Sequence, residues 1–545
     1  MQGQLPTRAE RFAALGAPAR EFDLLVIGGG ITGCGIAREA AARGLSVALV
    51  EKNDFASGTS SRSSRLIHGG VRYLEHGQIH LVFESSAERR QLLRLAPHLV
   101  RPLAFTWPVY AGARIPRWKL GLGLTAYDAL ALFRNVRRHR RLSTRGVLAR
   151  EPGLASDGLR GGALYYDAAT DDARLTLANA IGAAEIGAVV VNHASVRALE
   201  ARDGRIVGAR VDDELTRESV DVRAAVVVNA TGPWSDTVRA LDQSAPLPGA
   251  RKAVRGSKGT HIAIRRERLG NHDALTLLSP MDGRVMFVLP AGAFAIVGTT
   301  DTFTTSSPDD VRPTAEDVSY LLATANRFFP AAKLGANDVV AAWAGIRPLL
   351  PSSRETPGAA SREHAVTVSG AGLVSITGGK LTTYRVMAAD VLRVVLRELG
   401  RPAGAAHLTP LPGGDIRSYE QLVADISRET DDASLSAHLA ASYGSRWPRV
   451  WSEITSDGGD TRLADGLPYT AGELRYCARN EMAFTLGDLL IRRTKLAFET
   501  RDHGASIAAR AAAVVAEPLG WDAPTQSGSV AAYAKEVQRI FSIEA

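Results

Sequence analysis

Cysteine is nearly absent: Cys34 and Cys477 are the only two in 545 residues, and no C-x-x-C pair occurs. A disulfide framework, a zinc finger and an iron–sulfur cluster carried by this chain alone are thereby excluded, and no metal site is expected. A reducing compartment fits best. Long apolar runs are also missing, since no stretch reaches the ~18 residues of a membrane-spanning helix. The opening segment, MQGQLPTRAERFAALGAPAR, lacks the apolar core and cleavage context of a secretory signal. Residues 1–20 are expected to form a flexible N-terminal extension, and the protein to be cytoplasmic or bound to a membrane from the cytoplasmic side. Lysine is scarce too: the chain has 8 lysines against 57 arginines, with a net charge of +8. That arginine bias, with abundant alanine, follows from genome base composition as readily as from function. Basicity suits a phosphate-bearing substrate or an anionic membrane surface. With no aromatic–basic RNA motif and no DNA-reading module beside it, no nucleic-acid partner is expected.

What is present is a globular chain of several domains. Hydrophobic residues make up 45% and charged residues 22%, values that exclude disorder and fibrous repeats. The length implies about two to four domains. The clearest local pattern is FDLLVIG (22–28), an apolar strand, followed by glycines, a helical stretch from Ile31 to Arg43, and a second strand, SVALVE (46–51). This is one strand–helix–strand unit of parallel-crossover length. Further along, AVVVNHASVRALEA, the turn Asp203-Gly204 and RIVGARVDD read as a hairpin. Strand patterns return over 254–300 and 340–376, and the pattern after about 415 is helical. The expected fold class is α/β. A Rossmann-like nucleotide domain interleaved with a β-rich cap is expected over 21–400. A linker over 401–414 leads to a helical C-terminal domain over 415–545.

Gly28, Gly30 and Gly33 satisfy G-x-G-x-x-G in the right context, after a strand and at the start of a helix. The glycines permit a tight turn, close approach of backbone N–H groups to a pyrophosphate, and close helix–strand packing. The helix N-terminus faces the phosphates, and Glu51, ending the next strand, is placed to accept hydrogen bonds from ribose hydroxyls. A second match, GLGLTA (121–126), follows a segment with Pro116 and two basic residues, and reads as structural. The fingerprint alone does not separate FAD from NAD. Ala230 and Gly232, in ATGPW after an apolar strand, match a second flavin-contacting segment. Gly378 and Gly379 precede a helix whose N-terminus suits negative charge on a reduced flavin. The loop SGTSSRSSRLIHGGVRYLE (57–75) offers Thr59, Ser60, Ser64 and Gly69 to wrap a pyrophosphate and the flavin edge. It delivers His68, Arg72 and Tyr73 close to the ring.

Seven segments together carry a family resemblance: IGGGITGCG (27–35), GTSSRSSRLIHGGVRYLE (58–75), DDARLTLANA (171–180), NATGPW (229–234), VGTTD (297–301), AGIRPL (344–349) and TGGKLTTYR (377–385). The chain resembles the FAD-dependent respiratory sn-glycerol-3-phosphate dehydrogenases over nearly everything after residue 20. The resemblance implies bound FAD and oxidation of glycerol 3-phosphate to dihydroxyacetone phosphate by hydride transfer from C2 to flavin N5. It also implies a two-dinucleotide-type FAD-binding domain with a substrate cap, and a membrane quinone as acceptor. A basic chain with no spanning run suits peripheral docking on the anionic inner face of the membrane, and a homodimer is left open. The positions matching the family's substrate motifs are Arg72, Tyr73, Arg347, Arg362 and Lys380, with His68 near the reacting carbon. Several guanidinium and ammonium donors suit a phosphate dianion, although any one arginine in so arginine-rich a chain can be a surface or ion-pair residue. His68 is the first choice for general base and Arg347 for polarising the substrate oxygen. Two alternatives keep the fold: an oxidase passing electrons to oxygen, and an amine or amino-acid oxidase. A flavin-bearing regulatory protein without turnover is the reading from a different class. WKLGLGLTAYDALALF (118–133), running into a basic cluster at 134–141, suits an interfacial anchor or a core helix about equally.

Overall fold

The computed structural model describes residues 5–70, 78–131, 135–243, 252–351, 362–402 and 408–544. The first element corrects an expectation. Arg8–Leu15 is a helix (α1) opened by a Thr7/Glu10 capping box. Its Phe12 and Leu15 pack into the core beside Val191 and Val222. A T-x-x-E start followed by apolar residues three apart is a helix signal, and burying that face holds the extension in place.

The dinucleotide unit follows as β1 (Phe22–Ile27), α2 (Ile31–Ala42) and β2 (Val47–Val50). After it come β3 (Leu66–Ile67), α3 (Ile79–Leu95), β4 (Val100–Tyr110), α4 (Arg117–Leu130), β5 (Arg140–Leu142), α5 (Thr144–Arg150), β6 (Leu159–Thr170) and α6 (Asp172–Glu185). The next run is β7 (Val189–Val191), β8 (Ala194–Arg202), β9 (Arg205–Asp213), β10 (Ser219–Asn229) and α7 (Ser235–Arg239). The cap is completed by β11 (Arg255–Arg265), β12 (Ala274–Leu278), β13 (Val285–Ala291), β14 (Phe294–Gly298), β15 (Thr302–Phe303), α8 (Ala315–Phe328) and β16 (Val339–Leu349). The chain then returns to the first sheet with β17 (His364–Val368), β18 (Val374–Gly378) and α9 (Tyr384–Glu398).

Two sheets result. The first has the order β17-β18-β10-β1-β2-β7, with the β8–β9 hairpin attached to β10. Its central pairs are parallel. Such strands are covered on both faces, which is why FDLLVI and AVVVN read as unbroken apolar runs. The second sheet, order β15-β11-β14-β13-β12-β4-β6-β3 with β16 on β11, is mostly antiparallel and forms the cap. The hairpin turn has positive φ at both Asp203 and Gly204, the conformation that joins twisted strands without splaying them. The interleaving is visible in chain order, since the path leaves the first sheet after β2 and rejoins it twice, at β7 and at β17.

From Tyr419 onward the described chain is helical up to Phe541. This region shares one core with the cap: Leu439, Leu474 and Phe498 pack with Phe105, Tyr165 and Trp343. Trp343 is fully buried and meets the Phe498 ring edge-on at 5.0 Å. Among the described residues no helix is long and apolar enough to cross a membrane.

Candidate active site

A cavity of about 710 Å³ lies between the ends of the parallel strands and the cap, within the ~300–1,000 Å³ typical of ligand and cofactor sites. Its cofactor wall is built by the first sheet. Gly28 has φ +110, and a Cβ there would meet the Ala230 carbonyl oxygen at 2.8 Å, so only glycine fits. Gly33 does not line the cavity; a Cβ on it would run into the Gly28 carbonyl, so its smallness is used for packing α2 on β1. The helix starts at Gly30 with no side-chain cap, leaving its positive end to the cavity. Glu51 closes the corner, with Oε2 accepting the Gly29 N–H at 2.6 Å and Oε1 the Asn53 N–H at 2.9 Å. Burial pushes the Glu51 carboxyl up, and those two N–H donors work against it. Together the glycine turn, the helix N-terminus and the carboxylate fit a dinucleotide.

The loop after β2 lies along the same wall. Ser60 Oγ accepts the Ile31 N–H at 3.0 Å, and Thr59 Oγ1 donates to the Ile346 carbonyl at 2.6 Å, tying the loop to α2 and to β16. Ser64 Oγ sits 2.9 Å from His261 Nε2. The His68 N–H donates to Thr382 Oγ1 at 3.3 Å. Gly69 is set just behind the wall. Gly378 and Gly379 both have positive φ, and a Cβ on either would strike Glu363 or Met387; they turn the chain from β18 into the segment before α9. Ala230, Gly232, Gly378 and Gly379 all face the cavity.

Opposite stands a basic cluster. Strand register delivers it: β11 pairs with β16 so that Ser257 opposes Arg347 and His261 opposes Trp343. Arg347 Nη1 meets Asp301 Oδ1 at 3.0 Å and Nη2 donates to Thr299 Oγ1 at 2.8 Å. Arg362 reaches the other Asp301 oxygen at 3.5 Å. Burial alone would raise the Asp301 carboxyl, but the Arg347 and Arg362 guanidiniums outweigh it and hold it below the usual range. Lys380 Nζ donates to Ser85 Oγ at 3.2 Å. Burial drags this ammonium down to about 8, with Glu84 opposing and Arg362 adding to the fall. Burial also lowers His68; Asp167 opposes, while Lys380, Arg89 and Arg362 reinforce the lowering. A buried imidazole among cations is neutral near pH 7 and able to accept a proton.

His68, Arg347, Arg362 and Lys380 therefore line one cavity with Gly28, Gly30, Glu51, Thr59, Ser60 and Ser64. Arg72 and Tyr73 lie outside the described residues. Sequence reasoning missed His261 and Asp301. His261 lies against Trp343, ring centroids 5.6 Å apart, and burial with Arg347 and Arg65 nearby takes it down to about 3. Its signal, KGTH, is an ordinary strand segment. Asp301 was in plain view at the end of VGTTD, but only the folded chain shows it bridging two arginines. Phe105, Trp107, Tyr165 and Phe287 add an aromatic wall, drawn from three strands with no shared motif. Asp54, His193 and Asp488 also converge, but Arg492 and Arg493 fill that group with salt bridges.

Residues 23–385 match the family model described as FAD dependent oxidoreductase, and residues 405–526 match the C-terminal domain of alpha-glycerophosphate oxidase. The aerobic glycerol-3-phosphate dehydrogenase of Staphylococcus haemolyticus is 36% identical over 497 residues, 88% of each chain. The glycerol-3-phosphate dehydrogenase from Bacillus halodurans, solved in complex with FAD, superposes with a TM-score of 0.79 at 31% identity, covering 98% of this chain and 97% of that one. The L-alpha-glycerophosphate oxidase of Mycoplasma pneumoniae shares the fold, with a TM-score of 0.55 at 18% identity over 72% of this chain and 98% of that one. With the dinucleotide wall and the basic cluster facing each other across one cavity, the chain belongs to the FAD-dependent glycerol-3-phosphate dehydrogenase family.

Proposed function

We propose that the chain oxidises sn-glycerol 3-phosphate at C2 to dihydroxyacetone phosphate and passes the electrons to a membrane quinone. One observation carries the reading: Arg347, Arg362 and Lys380 face the cavity, with Asp301 as the carboxylate that bridges the two arginines, a set of guanidinium and ammonium donors that suits a phosphate dianion. Arg72 and Tyr73 join this substrate set. Bound FAD supplies the two-electron acceptor, with N5 taking the hydride from C2. His68 takes the C2 hydroxyl proton on a ring nitrogen, and Arg347 polarises the oxygen as the ketone forms. Arg362 and Lys380 hold the phosphate and so fix which carbon faces the cofactor.

The acceptor half of the proposal is supported by α4 and its neighbour. Trp118 and Leu122 on α4 are 65% and 60% exposed, and Ile79 and Phe83 on α3 are 55% and 46% exposed. Leu120, Leu124 and Tyr127 bury the other face of α4. One face of this helix is thus buried, as the core-helix reading expects, and the other is exposed, as an anchor would be. Residues 132–134 lie outside the described residues. An apolar outer face with Arg117 and Lys119 beside it suits the anionic inner surface of a membrane. The test is anaerobic mixing with sn-glycerol 3-phosphate, followed by quinone analogues or air. Flavin bleaching followed by faster reoxidation with quinone supports the reading. Stoichiometric hydrogen peroxide in air would make the protein an oxidase, and no bleaching would refute the substrate.

A further inference from the structure

Behind the cavity wall, three elements converge on one backbone amide. Asp167 on β6 is 3% exposed. Its Oδ1 accepts the Gly69 N–H at 3.1 Å and the Tyr127 hydroxyl, from α4, at 2.6 Å, and it pairs with Arg89 of α3. The Tyr127 oxygen in turn accepts from Gly69 N–H at 3.0 Å and from Arg89 Nη1 at 2.7 Å. The hydroxyl thus uses its one donor and both lone pairs. Arg89 is held from the far side by Asn135, which donates to Asp128 at 2.6 Å. Gly69 has no slack, because a Cβ there would strike the Tyr127 hydroxyl and would lie 2.5 Å from Ser86 Oγ.

This arrangement is costly unless it serves something. A tyrosine, an arginine and an aspartate are buried together around a single peptide N–H. The peptide they hold joins Gly69 to His68, whose own N–H is tied to Thr382. Asp167 also lines the cavity beside His68. We infer that Asp167, Tyr127 and Arg89 are positioning residues that fix the His68–Gly69 peptide and so aim the His68 imidazole at the substrate carbon. The inference rests on the reading of His68 as the base.

The test is a double-mutant cycle on the FAD-loaded enzyme, followed by anaerobic flavin reduction with sn-glycerol 3-phosphate. Tyr127→Phe removes the hydroxyl with little change of shape. It is expected to slow flavin reduction on the order of 10- to 100-fold, the cost of a misplaced catalytic group. FAD content and substrate Kd should stay within about 3-fold of the parent. Asp167→Asn should behave alike. In a His68→Gln background the same changes should cost almost nothing more, because they act through a group already lost. Hydrogen exchange of the amides over 66–70 should speed up in Tyr127→Phe. Independent, multiplying losses in the two backgrounds would overturn the inference while leaving His68 as the base. A change in Kd or FAD content without a change in reduction rate would also overturn it, by showing a purely structural role. If His68→Gln alone reduced flavin at the parent rate, the assignment of the base would fall and this inference with it.

Discussion

Two buried charged clusters invite comparison, because they use the same residue types to different ends. The first joins the cofactor domain to the helical region. Arg492 pairs with Asp54 at 2.7 Å, Asp488 at 2.9 Å and Glu536 at 2.8 Å. Arg493 meets Asp54 at 2.7 Å, and His193 meets Asp488 at 3.0 Å. Burial would raise Asp488 and lower His193; each outweighs that for the other, so the carboxyl is held low and the imidazole high. Three acids face three bases with every charge answered. The second cluster sets Arg347 and Arg362 around Asp301 and, with Lys380, opens on the cavity. A cluster whose partners close on one another fastens; one that turns its cations toward a cavity binds.

The fastener gives the largest expected effect. Asp54→Asn takes from the buried Arg493 its carboxylate partner and from the buried Arg492 one of three, and breaking such a group costs about 3–5 kcal/mol. Asp54 also lies three residues after Glu51, so FAD should be released as the protein loosens. Thermal unfolding followed by flavin fluorescence should show both together, and unchanged unfolding with FAD retained would mean that the cluster fastens nothing. Arg347→Ala should do the reverse. Removal of one charge-assisted partner of a dianion costs about 2–4 kcal/mol, roughly 30- to 1,000-fold in kcat/KM. The unfolding temperature and FAD content should hardly move, and steady-state kinetics beside a thermal scan separates the two outcomes.

How much of this was legible beforehand depended on range. The cofactor wall was readable because Gly28, Gly30, Gly33 and Glu51 lie within one strand–helix–strand unit, where spacing alone dictates geometry. His68, Arg347 and Lys380 were singled out through segments that resemble a family, and the fold brings them to one cavity. His261 and Asp301 were missed, since their partners come from other strands: β11 places His261 opposite Gly298 and Trp343, a register no local pattern encodes. Asp167 and Tyr127 were missed for the same reason, meeting only when β6 and α4 close behind the loop. The N-terminal helix was a different failure, for its T-x-x-E cap was present and a short polar segment was read as unstructured. The fastener has no local signature at all, as Asp54 and Arg493 are 439 positions apart in sequence.

Smaller effects sharpen the same contrast. Burial holds Lys380 at about 8, and phosphate binding requires its charged form. In the free enzyme kcat/KM should therefore fall as pH rises through that value, by up to ~10-fold per unit. Lys380→Arg, charged at every accessible pH, should flatten that limb, and a pH–rate profile with the limb intact would assign it to another group. Smallest is the membrane effect. Changing Trp118 and Leu122 to serine should weaken binding to anionic vesicles about 5- to 10-fold while leaving anaerobic flavin reduction unchanged. Vesicle sedimentation reads the first, and unaltered binding would remove this face from the docking surface.

The central claim is that the basic cluster on the cavity recognises phosphate, and its most direct measurement compares anaerobic flavin reduction by sn-glycerol 3-phosphate with that by free glycerol, in the parent and in Arg347→Met/Lys380→Met. The account expects the parent to prefer the phosphate ester by at least ~10³-fold, the sum of two charge-assisted contacts of about 2 kcal/mol or more each. The variant should lose most of that preference through the ester alone. Equal loss for both substrates, or a parent that reduces its flavin with glycerol as readily as with the ester, would contradict it.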